Sequence, residues 1–456
     1  MNNLHKYNQL RQQYPEFCYE SFSYTITDEG LSLNFTFSAG NDILFQPTSF
    51  IPKRNFIHFE NLSTEQYNQL VFQIGMIELI SYWKCVCSPK VVINPYTLDG
   101  DSIQFWKKLY FNGLGEFFYI NGIESTVDDF MEVECSGNSE LPPANFSTDS
   151  QKFLVPIGGG KDSVVTLETL KKANIDIRPL IINPRGATIQ CAEKAGFALE
   201  DVLVIKRQID PTLLKLNAQG FLNGHTPFSA MLAFYSILAS AITGIANIAL
   251  SNENSANETT VIGSSVNHQY SKSLEFEDDF RSYVAKHVTN NSNYFSFLRP
   301  LSELQIAMLF AQNPKYFDVF KSCNAGSKED IWCGKCAKCL FAFIILSPFI
   351  PPETLEKIFG KNLLNDPDLE NYLEELSGKQ PTKPFECVGT IDEVNTALKM
   401  AANRYYKNKE LPILLRKPIP KCDIVPLNSF LNEHNLNEKL QKILQEEIMQ
   451  VCKQYL

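Results

Sequence analysis

The sequence predicts an α/β protein with a parallel-sheet core, an N-terminal α+β domain and a helical C-terminal region. Between residues 151 and 350, strand-like segments alternate with helix-like segments. This order is typical of a parallel sheet with helices on both faces. Residues 1–150 contain a hairpin pattern and a long apolar helical pattern, and residues 351–456 are mostly helical in pattern. We therefore predict three regions with boundaries near residues 150 and 350.

The N-terminal region contains a predicted β-hairpin and a predicted helix. Residues 22–27 and 31–37 alternate apolar and polar side chains on either side of Asp28-Glu29-Gly30, which is typical of a hairpin. Residues 64–87 are apolar at helical spacing and follow a Ser-Thr-Glu-Gln cap pattern. Residues 136–149 are rich in Ser, Pro and Asn and are interpreted as a linker.

A glycine-rich turn follows the first predicted strand of the core, residues 153–157. The turn and the start of the next helix consist of Gly158, Gly159, Gly160, Lys161, Asp162 and Ser163. Glycines allow backbone N–H groups to approach an anion, and the helix dipole favours negative charge there. The turn therefore predicts a phosphate site with Lys161 as its cation. Asp162 fits beside phosphates if it holds Mg²⁺ or caps the helix.

Further polar segments follow the other predicted core strands. These strands cover residues 177–183, 202–205 and 245–251, the last of them after an apolar helix at 228–243. Ligands bind at the carboxyl ends of parallel strands, and both Asn183 and the segment containing Glu253 lie at such ends. We therefore expect Asn183 and Glu253 to lie near the glycine turn.

Three other loops contain residue types suited to proton transfer or polar binding. His225 lies between a glycine and a proline just before a helix, where a simple turn with a helix cap is the alternative. His268 and Lys272 belong to the run 264–273, in which all side chains but one can donate or accept hydrogen bonds. A solvated loop would also fit that run. Cys387 follows two prolines and precedes a glycine, in a segment that is either a site loop or a connector.

Four cysteines form a cluster in the sequence: Cys323, Cys333, Cys336 and Cys339. Overlapping C-x-x-C pairs suit a tetrahedral site with four sulfur ligands. Four thiolates leave no open position for water, so a structural zinc ion is predicted. Lys335 and Lys338 could offset the negative charge of the thiolates. Buried metal-free thiols and an iron–sulfur cluster are the alternatives.

The composition and net charge of the chain argue against some classes of function. The chain has 456 residues, 44% of them hydrophobic and 20% charged, and a net charge of −10. That charge argues against binding nucleic acid by bulk attraction. Residues 1–7 contain no apolar signal core, and the uncharged stretch 228–250 divides into a buried helix and a strand better than it forms a membrane span. We therefore predict a cytoplasmic protein without a membrane segment, whose twelve cysteines are mostly reduced.

The glycine turn resembles the pyrophosphate loop of the N-type ATP pyrophosphatases, in which Ser usually stands at the position of Gly158. This resemblance implies an adenine-nucleotide α-hydrolase-like (PP-loop) core. Together with the turn, five later motifs resemble the bacterial ATP-dependent UDP-N-acetylmuramoyl-L-alanyl-L-glutamate epimerases. The motifs are Asn223-Gly-His-Thr-Pro227, Asn252-Glu-Asn-Ser-Ala-Asn257, Asn267-His-Gln-Tyr-Ser-Lys-Ser273, Cys333-Gly-Lys-Cys-Ala-Lys-Cys339 and Pro384-Phe-Glu-Cys-Val-Gly389.

This resemblance implies that the terminal L-glutamate of a UDP-linked muramoyl dipeptide is converted to D-glutamate. The reaction would consume ATP in the presence of Mg²⁺ and release AMP and diphosphate. It also implies a functional link to a ligase that adds L-glutamate to muramoyl-alanine. The glycine turn and Asn183 would bind ATP or diphosphate, and Asp162 would bind Mg²⁺. By residue type, the candidates for the acid and base are His268, Lys272, His225, Glu253 and Cys387.

Other readings stay open at the level of sequence. Another zinc-containing PP-loop enzyme, such as a deazaguanine-nitrile synthase or a tRNA-modifying ligase, would share the loop and the cysteines. The acidic composition counts against a tRNA substrate, and the large N-terminal region counts against the deazaguanine enzyme. A non-catalytic nucleotide sensor would bind ATP without releasing diphosphate.

Overall fold

The structure is a computed structural model that describes residues 3–406 and 410–455. It is a mixed α/β protein with an eleven-stranded sheet and a helical C-terminal region. In chain order, the strands are β1 (Glu16–Ile26), β2 (Gly30–Ala39), β3 (Ile43–Phe45), β4 (Thr48–Pro52), β5 (Lys90–Ile93), β6 (Glu132–Cys135), β7 (Asp149–Pro156), β8 (Asp176–Ile182), β9 (Leu203–Gln208), β10 (Ile245–Leu250) and β11 (Asn293–Ser296).

Helices connect and follow these strands. Within the described residues they are α1 (Leu4–Gln13), α2 (Thr64–Trp83), α3 (Gly100–Gly113), α4 (Gly115–Asn121), α5 (Lys161–Lys172), α6 (Gly186–Lys194), α7 (Pro211–Ala218), α8 (Phe228–Thr243), α9 (Leu274–Tyr283), α10 (Glu303–Phe310), α11 (Ala337–Leu346), α12 (Pro352–Phe359), α13 (Glu370–Leu376), α14 (Ile391–Tyr406) and α15 (Glu438–Cys452). The order of strands and helices from β7 to β10 is the predicted alternation.

The chain forms two compact units, each built from several segments. The first contains the chain up to Leu154 together with Leu203–Ile248 and Glu275–Tyr294. The second contains Val155–Val202, Ala249–Leu274 and the chain from Phe295 onward. The division into three regions at residues 150 and 350 stays a prediction.

The sheet is part parallel and part antiparallel. In the first unit, one set of sheet strands follows the order β9-β4-β2-β1-β5-β6, with β3 beside β2. A second set follows the order β11-β10-β7. The predicted hairpin is confirmed, because β1 and β2 pair antiparallel with Ile26 opposite Leu31. β10 runs parallel to β7, as expected for strands joined by crossover connections. β4 runs antiparallel to β9, so a strand from the N-terminal region extends the sheet.

The long helix α2 forms part of the core of the first unit. The predicted cap is present: the Ser63 hydroxyl accepts from the Gln66 N–H at 3.3 Å, and the Gln66 side chain accepts from the Ser63 N–H at 2.7 Å. The helix ends at Trp83, four residues before the end of the apolar pattern. Cys87 has φ 54°, and its N–H bonds to the Trp83 carbonyl at 2.8 Å, so a left-handed turn ends the helix.

The apolar stretch 228–250 is divided between a helix and a strand. α8 is buried along most of its length, Gly244 follows it with φ 65°, and the buried strand β10 begins at Ile245. Glycine allows that left-handed conformation, so the chain turns directly from helix to strand. Among the helices of residues 3–406 and 410–455, none combines the length and the apolar character needed to cross a membrane.

Helices dominate the second unit. α5 packs against α10 and α15, and α11 packs against α10 and α14. The tail of the chain forms the amphipathic helix α15, which buries Leu440, Leu444, Ile448 and Val451. Since this face packs against α5 and α10, the tail is part of the body of the second unit. It therefore supports the helix that follows the glycine turn.

Candidate active site

The glycine turn connects β7 to α5 as predicted. Gly159 has φ +80°, and a Cβ placed there would lie 3.0 Å from the Ala187 Cβ, so only glycine fits without strain. Gly160 precedes α5, and no side chain caps the helix from that position. Backbone N–H groups of the first turn are therefore available to an anion. A Cβ at Gly158 would meet no atom within 4 Å, so a serine would also fit there.

Lys161 lies between two carboxylates. It is the first residue of α5, its side chain is 7% exposed, and its ammonium donates hydrogen bonds to Asp162 and Glu303. Burial opposes the charge of Lys161, but these carboxylates outweigh burial and raise its pKa. Burial raises the pKa of Glu303 to about 8. At neutral pH, the ammonium therefore faces a largely protonated Glu303.

Asp162 carries the negative charge of this group. Its side chain is 27% exposed, whereas that of Glu303 is 2% exposed. Burial would raise the pKa of Asp162, but the ammonium groups of Lys161, Lys338 and Lys272 lower it. An ionised, partly accessible carboxylate beside an anion-binding turn is a suitable ligand for Mg²⁺.

A second buried acid lies behind Glu303. The Glu303 N–H donates to a carboxylate oxygen of Glu393 at 2.8 Å, and the other oxygen of Glu393 accepts from the Thr390 N–H at 2.6 Å. Burial raises the pKa of Glu393 to about 7. These bonds connect the start of α10 with the start of α14, close to the segment that contains Cys387.

Cys387 forms a charged group with Lys272 and His268. Burial would raise the pKa of Cys387, but the Lys272 ammonium, the hydrogen bond with His268 and the charge of Lys338 lower it to about 6. Burial likewise opposes the charge of Lys272, and the Cys387 thiolate and Glu253 raise its pKa. At neutral pH, the pair is therefore a thiolate and an ammonium. A thiolate can accept a proton and return it.

A buried arginine holds two of the predicted site loops. Arg299 is 0% exposed, and its guanidinium donates to the backbone carbonyl of Glu253 at 2.6 Å and to the backbone carbonyl of Lys272. It also donates to the Ser296 hydroxyl at 3.2 Å. Because guanidinium geometry is planar and rigid, these bonds fix the two loops relative to one another.

Hydrogen bonds also connect the run 264–273 to its neighbours. The Asn267 side chain donates to the Ala256 carbonyl at 2.8 Å, and the Gln269 side chain donates to the Val388 carbonyl at 3.0 Å. The first bond reaches the loop after β10, and the second reaches the loop that contains Cys387. Three loops predicted separately from the sequence therefore meet in the second unit.

The four cysteines also come together. Their sulfurs all lie within 4.8 Å of one another, with distances of 3.7 Å between Cys323 and Cys336, 3.7 Å between Cys333 and Cys339, and 3.5 Å between Cys336 and Cys339. Four sulfurs placed tetrahedrally about 2.3 Å from a zinc ion would be separated by about 3.8 Å, whereas disulfide sulfurs are about 2 Å apart. The cluster could therefore hold one metal ion.

Two other predicted site residues are His225 and Asn183. His225 belongs to the first unit, where its Nδ1 lies 3.7 Å from a carboxylate oxygen of Glu116. Asn183 is exposed just after β8 and has φ 50°. In the same loop, Arg185 donates to the Gly158 carbonyl at 3.2 Å, so this loop adjoins the glycine turn.

Sequence reasoning missed several residues of the site. Glu303, Glu393 and Arg299 have no motif around them that indicates a role, and only the long-range fold brings them to Lys161 and the site loops. The sequence predicts that Lys338 offsets the charge of the cysteines, and the structure shows in addition that its ammonium donates to the backbone carbonyl of Cys387.

The fold and site define an α/β protein whose second unit contains a glycine turn suited to an anion, a cysteine–lysine pair and a four-cysteine cluster. The family model described as MurL N-terminal domain matches residues 8–297, and the one described as MurL C-terminal domain matches residues 319–449. The chain therefore belongs to the MurL family. This confirms the resemblance found in the sequence motifs.

Curated relatives support the same assignment. A UDP-N-acetyl-alpha-D-muramoyl-L-alanyl-L-glutamate epimerase from Xanthomonas oryzae pv. oryzae (strain MAFF 311018) is 35% identical over 378 residues, which cover 80% of this chain and 82% of the relative. The protein of the same name from Salinispora tropica is 37% identical over 72% of each chain. A third, from Micromonospora sp., is 36% identical over 71% of this chain and 73% of its own length.

Proposed function

We propose that this protein epimerises the terminal L-glutamate of UDP-MurNAc-L-Ala-L-Glu to D-glutamate in the synthesis of peptidoglycan precursors. Family membership supports the substrate and the reaction. The structural support for the proposal is that the second unit contains two groups with suitable chemistry. Lys161 and Asp162 suit the handling of phosphate, whereas Cys387 and Lys272 suit proton transfer, and the charge of Lys272 acts on Asp162.

Activation of the substrate carboxylate by ATP explains why the site needs both a phosphate-binding group and a proton-transfer group. The carbon next to a carboxylate holds its proton tightly, because deprotonation places a second negative charge beside the first. When a carboxylate oxygen attacks the α-phosphorus of ATP, the bond to diphosphate breaks and an uncharged acyl carbonyl is formed. Removal of the proton then gives an enolate, whose charge the site can stabilise.

The glycine turn would hold the phosphates in this reaction. We assign diphosphate binding to the first turn of α5 and to Lys161, with Gly159 allowing close approach of the backbone. Asp162 would hold Mg²⁺, which neutralises charge on the phosphates when bound. Glu303 holds Lys161 in place, and its proton prevents a second negative charge from opposing the phosphates. This arrangement supports a PP-loop core.

Cys387 would transfer the proton on one face of the substrate. Its thiolate takes the proton from the α-carbon and becomes a thiol, while the Lys272 ammonium stabilises the developing enolate. Proton delivery from the opposite face inverts the centre, and Glu253 and His268 are candidates for that group. Water then hydrolyses the acyl–phosphate bond and releases AMP with the D-glutamyl product.

The four-cysteine cluster would hold a structural zinc ion. Four sulfur ligands suit zinc and leave no position for a reacting water, and the observed spacing of the sulfurs fits a tetrahedral site. We place the reaction in the cytoplasm, where a ligase that adds L-glutamate to the muramoyl-alanine nucleotide would supply the substrate.

Substrate-dependent diphosphate release, measured together with the chirality of glutamate, tests this function. With ATP, Mg²⁺ and UDP-MurNAc-L-Ala-L-Glu, we expect diphosphate and D-glutamate to appear together, and neither to appear with UDP-MurNAc-L-Ala. Asp162→Ala should abolish both. Cys387→Ala should retain diphosphate release and lower inversion by about 10²-fold or more. Diphosphate release without inversion in the wild type would contradict the proposal.

A further inference from the structure

Lys338 connects the cysteine cluster to the site. It lies between Cys336 and Cys339, at the second position of α11, and is 8% exposed. Its ammonium donates a hydrogen bond to the backbone carbonyl of Cys387 and lies 5.2 Å from the centroid of the Phe341 ring. The backbone of Lys338 thus belongs to the metal-binding motif, whereas its charged end belongs to the Cys387 loop.

The charge of Lys338 acts on both halves of the site. It lowers the pKa of Asp162 beside the glycine turn and that of Cys387 in the loop before α14. It also counteracts the burial that raises the pKa of Glu303 and Glu386. One ammonium therefore acts on acids and a thiol from three separate segments.

We propose that Lys338 is a positioning residue whose ammonium is held at the site by the metal-bound cysteines on either side of it. The effect of Lys338 on the reaction rests on the proposed function, whereas the position of its ammonium at the Cys387 loop does not. A lysine side chain has four rotatable side-chain bonds and loses rotamer entropy when it is fixed. Two flanking metal ligands fix the backbone from which that side chain extends, so the cluster reduces the freedom of the ammonium.

The simpler interpretation is that Lys338 only balances the charge of the thiolates. Lys335 provides a matched comparison, because it lies in the same motif but is exposed. If charge balance were the role, replacing either lysine would weaken metal binding similarly. If Lys338 positions the site, its replacement would retain the metal and change the behaviour of Cys387.

The test compares Lys338→Met, Lys338→Arg and Lys335→Met with the wild type. Metal content is measured by elemental analysis. The rate of Cys387 alkylation by iodoacetamide is followed against pH by mass spectrometry of its peptide, with Cys387→Ser as the blank. Lys272, His268 and Lys338 lower the pKa of Cys387, and the variants change only the last of these. Steady-state kinetics supply kcat and KM.

We expect Lys338→Met to retain the metal and to raise the midpoint of Cys387 alkylation by about one pH unit. Alkylation at about pH 6.5 then slows about threefold, because the thiolate fraction falls. We expect kcat to fall about tenfold with little change in KM, and Lys338→Arg to restore part of each effect. Lys335→Met should match the wild type in all three measurements. Removing the metal from the wild type should raise the alkylation midpoint in the same direction.

Two results would overturn the inference. One is an unchanged alkylation midpoint in Lys338→Met with the metal retained. The other is an equal loss of metal in Lys338→Met and Lys335→Met. The alkylation and metal measurements do not require epimerase activity, so a wild-type protein without that activity would refute the proposed function and still leave this inference tested.

Discussion

Glu303→Gln tests the charge state of the buried group around Lys161. The pKa of Glu303 rises from 4.5 to about 8, chiefly because its carboxyl is buried. Between these two values, the folded protein keeps a proton that the unfolded chain has lost. The stability of the wild type must therefore fall as pH rises through this range. Glutamine has nearly the same shape and no charge at any pH, so the variant lacks this dependence.

The size of the effect follows from the same pKa shift. Each pH unit within the window contributes about 1.4 kcal/mol. Between about pH 5.5 and pH 8, the wild type should lose roughly 3 kcal/mol of unfolding free energy relative to Glu303→Gln. The two proteins should then show parallel dependence above about pH 8, because Glu303 is ionised in both the folded and unfolded wild type.

Urea denaturation at a series of pH values measures this difference. Glu446→Gln on α15 is the control, because that side chain is 68% exposed and forms an ion pair with Lys442 at 3.9 Å. The unfolding free energy of Glu446→Gln should depend on pH in the same way as that of the wild type. Infrared spectra provide a direct check. The wild type should show a protonated carboxyl band that disappears near pH 8, and Glu303→Gln should lack that band. Parallel curves for wild type and Glu303→Gln from about pH 5.5 to 8.5 would refute this reasoning.

Three other outcomes are expected. Gly159→Ala should lower the unfolding free energy by about 1–3 kcal/mol, because of its φ of +80° and the 3.0 Å approach to Ala187; urea denaturation should show no such loss in Gly158→Ala. In the wild type, iodoacetamide should alkylate Cys387 with a midpoint near pH 6, because Lys272, His268 and Lys338 stabilise the thiolate against burial. A midpoint near that of a free thiol would contradict the charged pair. Cys336→Ser should lower the bound zinc, measured by elemental analysis, from one ion per chain towards none and reduce thermal stability. Full zinc content in that variant would exclude the four-sulfur site.

Local patterns predicted much of the fold and part of the site. The hairpin, the start of α2, the division of residues 228–250 and the glycine turn each depend on residues close together in the chain. The sulfur spacing of the four cysteines agrees with the metal site that their sequence spacing predicted. The predicted roles of His268, Lys272, Glu253 and Cys387 stay predictions, but the structure does bring these four residues into the second unit.

Long-range packing accounts for what the sequence could not indicate. Glu303 is separated from Lys161 by 142 positions, and only the packing of α10 on α5 makes them a pair. The antiparallel pairing of β4 with β9 joins segments of two predicted regions and has no local signal. Adjacency in sequence links Lys338 to the cysteines, but its ammonium reaches the backbone of Cys387, 49 positions further along the chain.

In the proposed function, one site couples consumption of ATP to proton exchange at the α-carbon of the substrate. The most direct test is to run the reaction in D₂O with UDP-MurNAc-L-Ala-L-Glu and to count AMP, inverted glutamate and deuterium at the α-carbon together. We predict one AMP for each inversion and solvent deuterium at the α-carbon of the D-glutamyl product. Inversion without ATP, or AMP formation with the α-proton fully retained, would contradict the account.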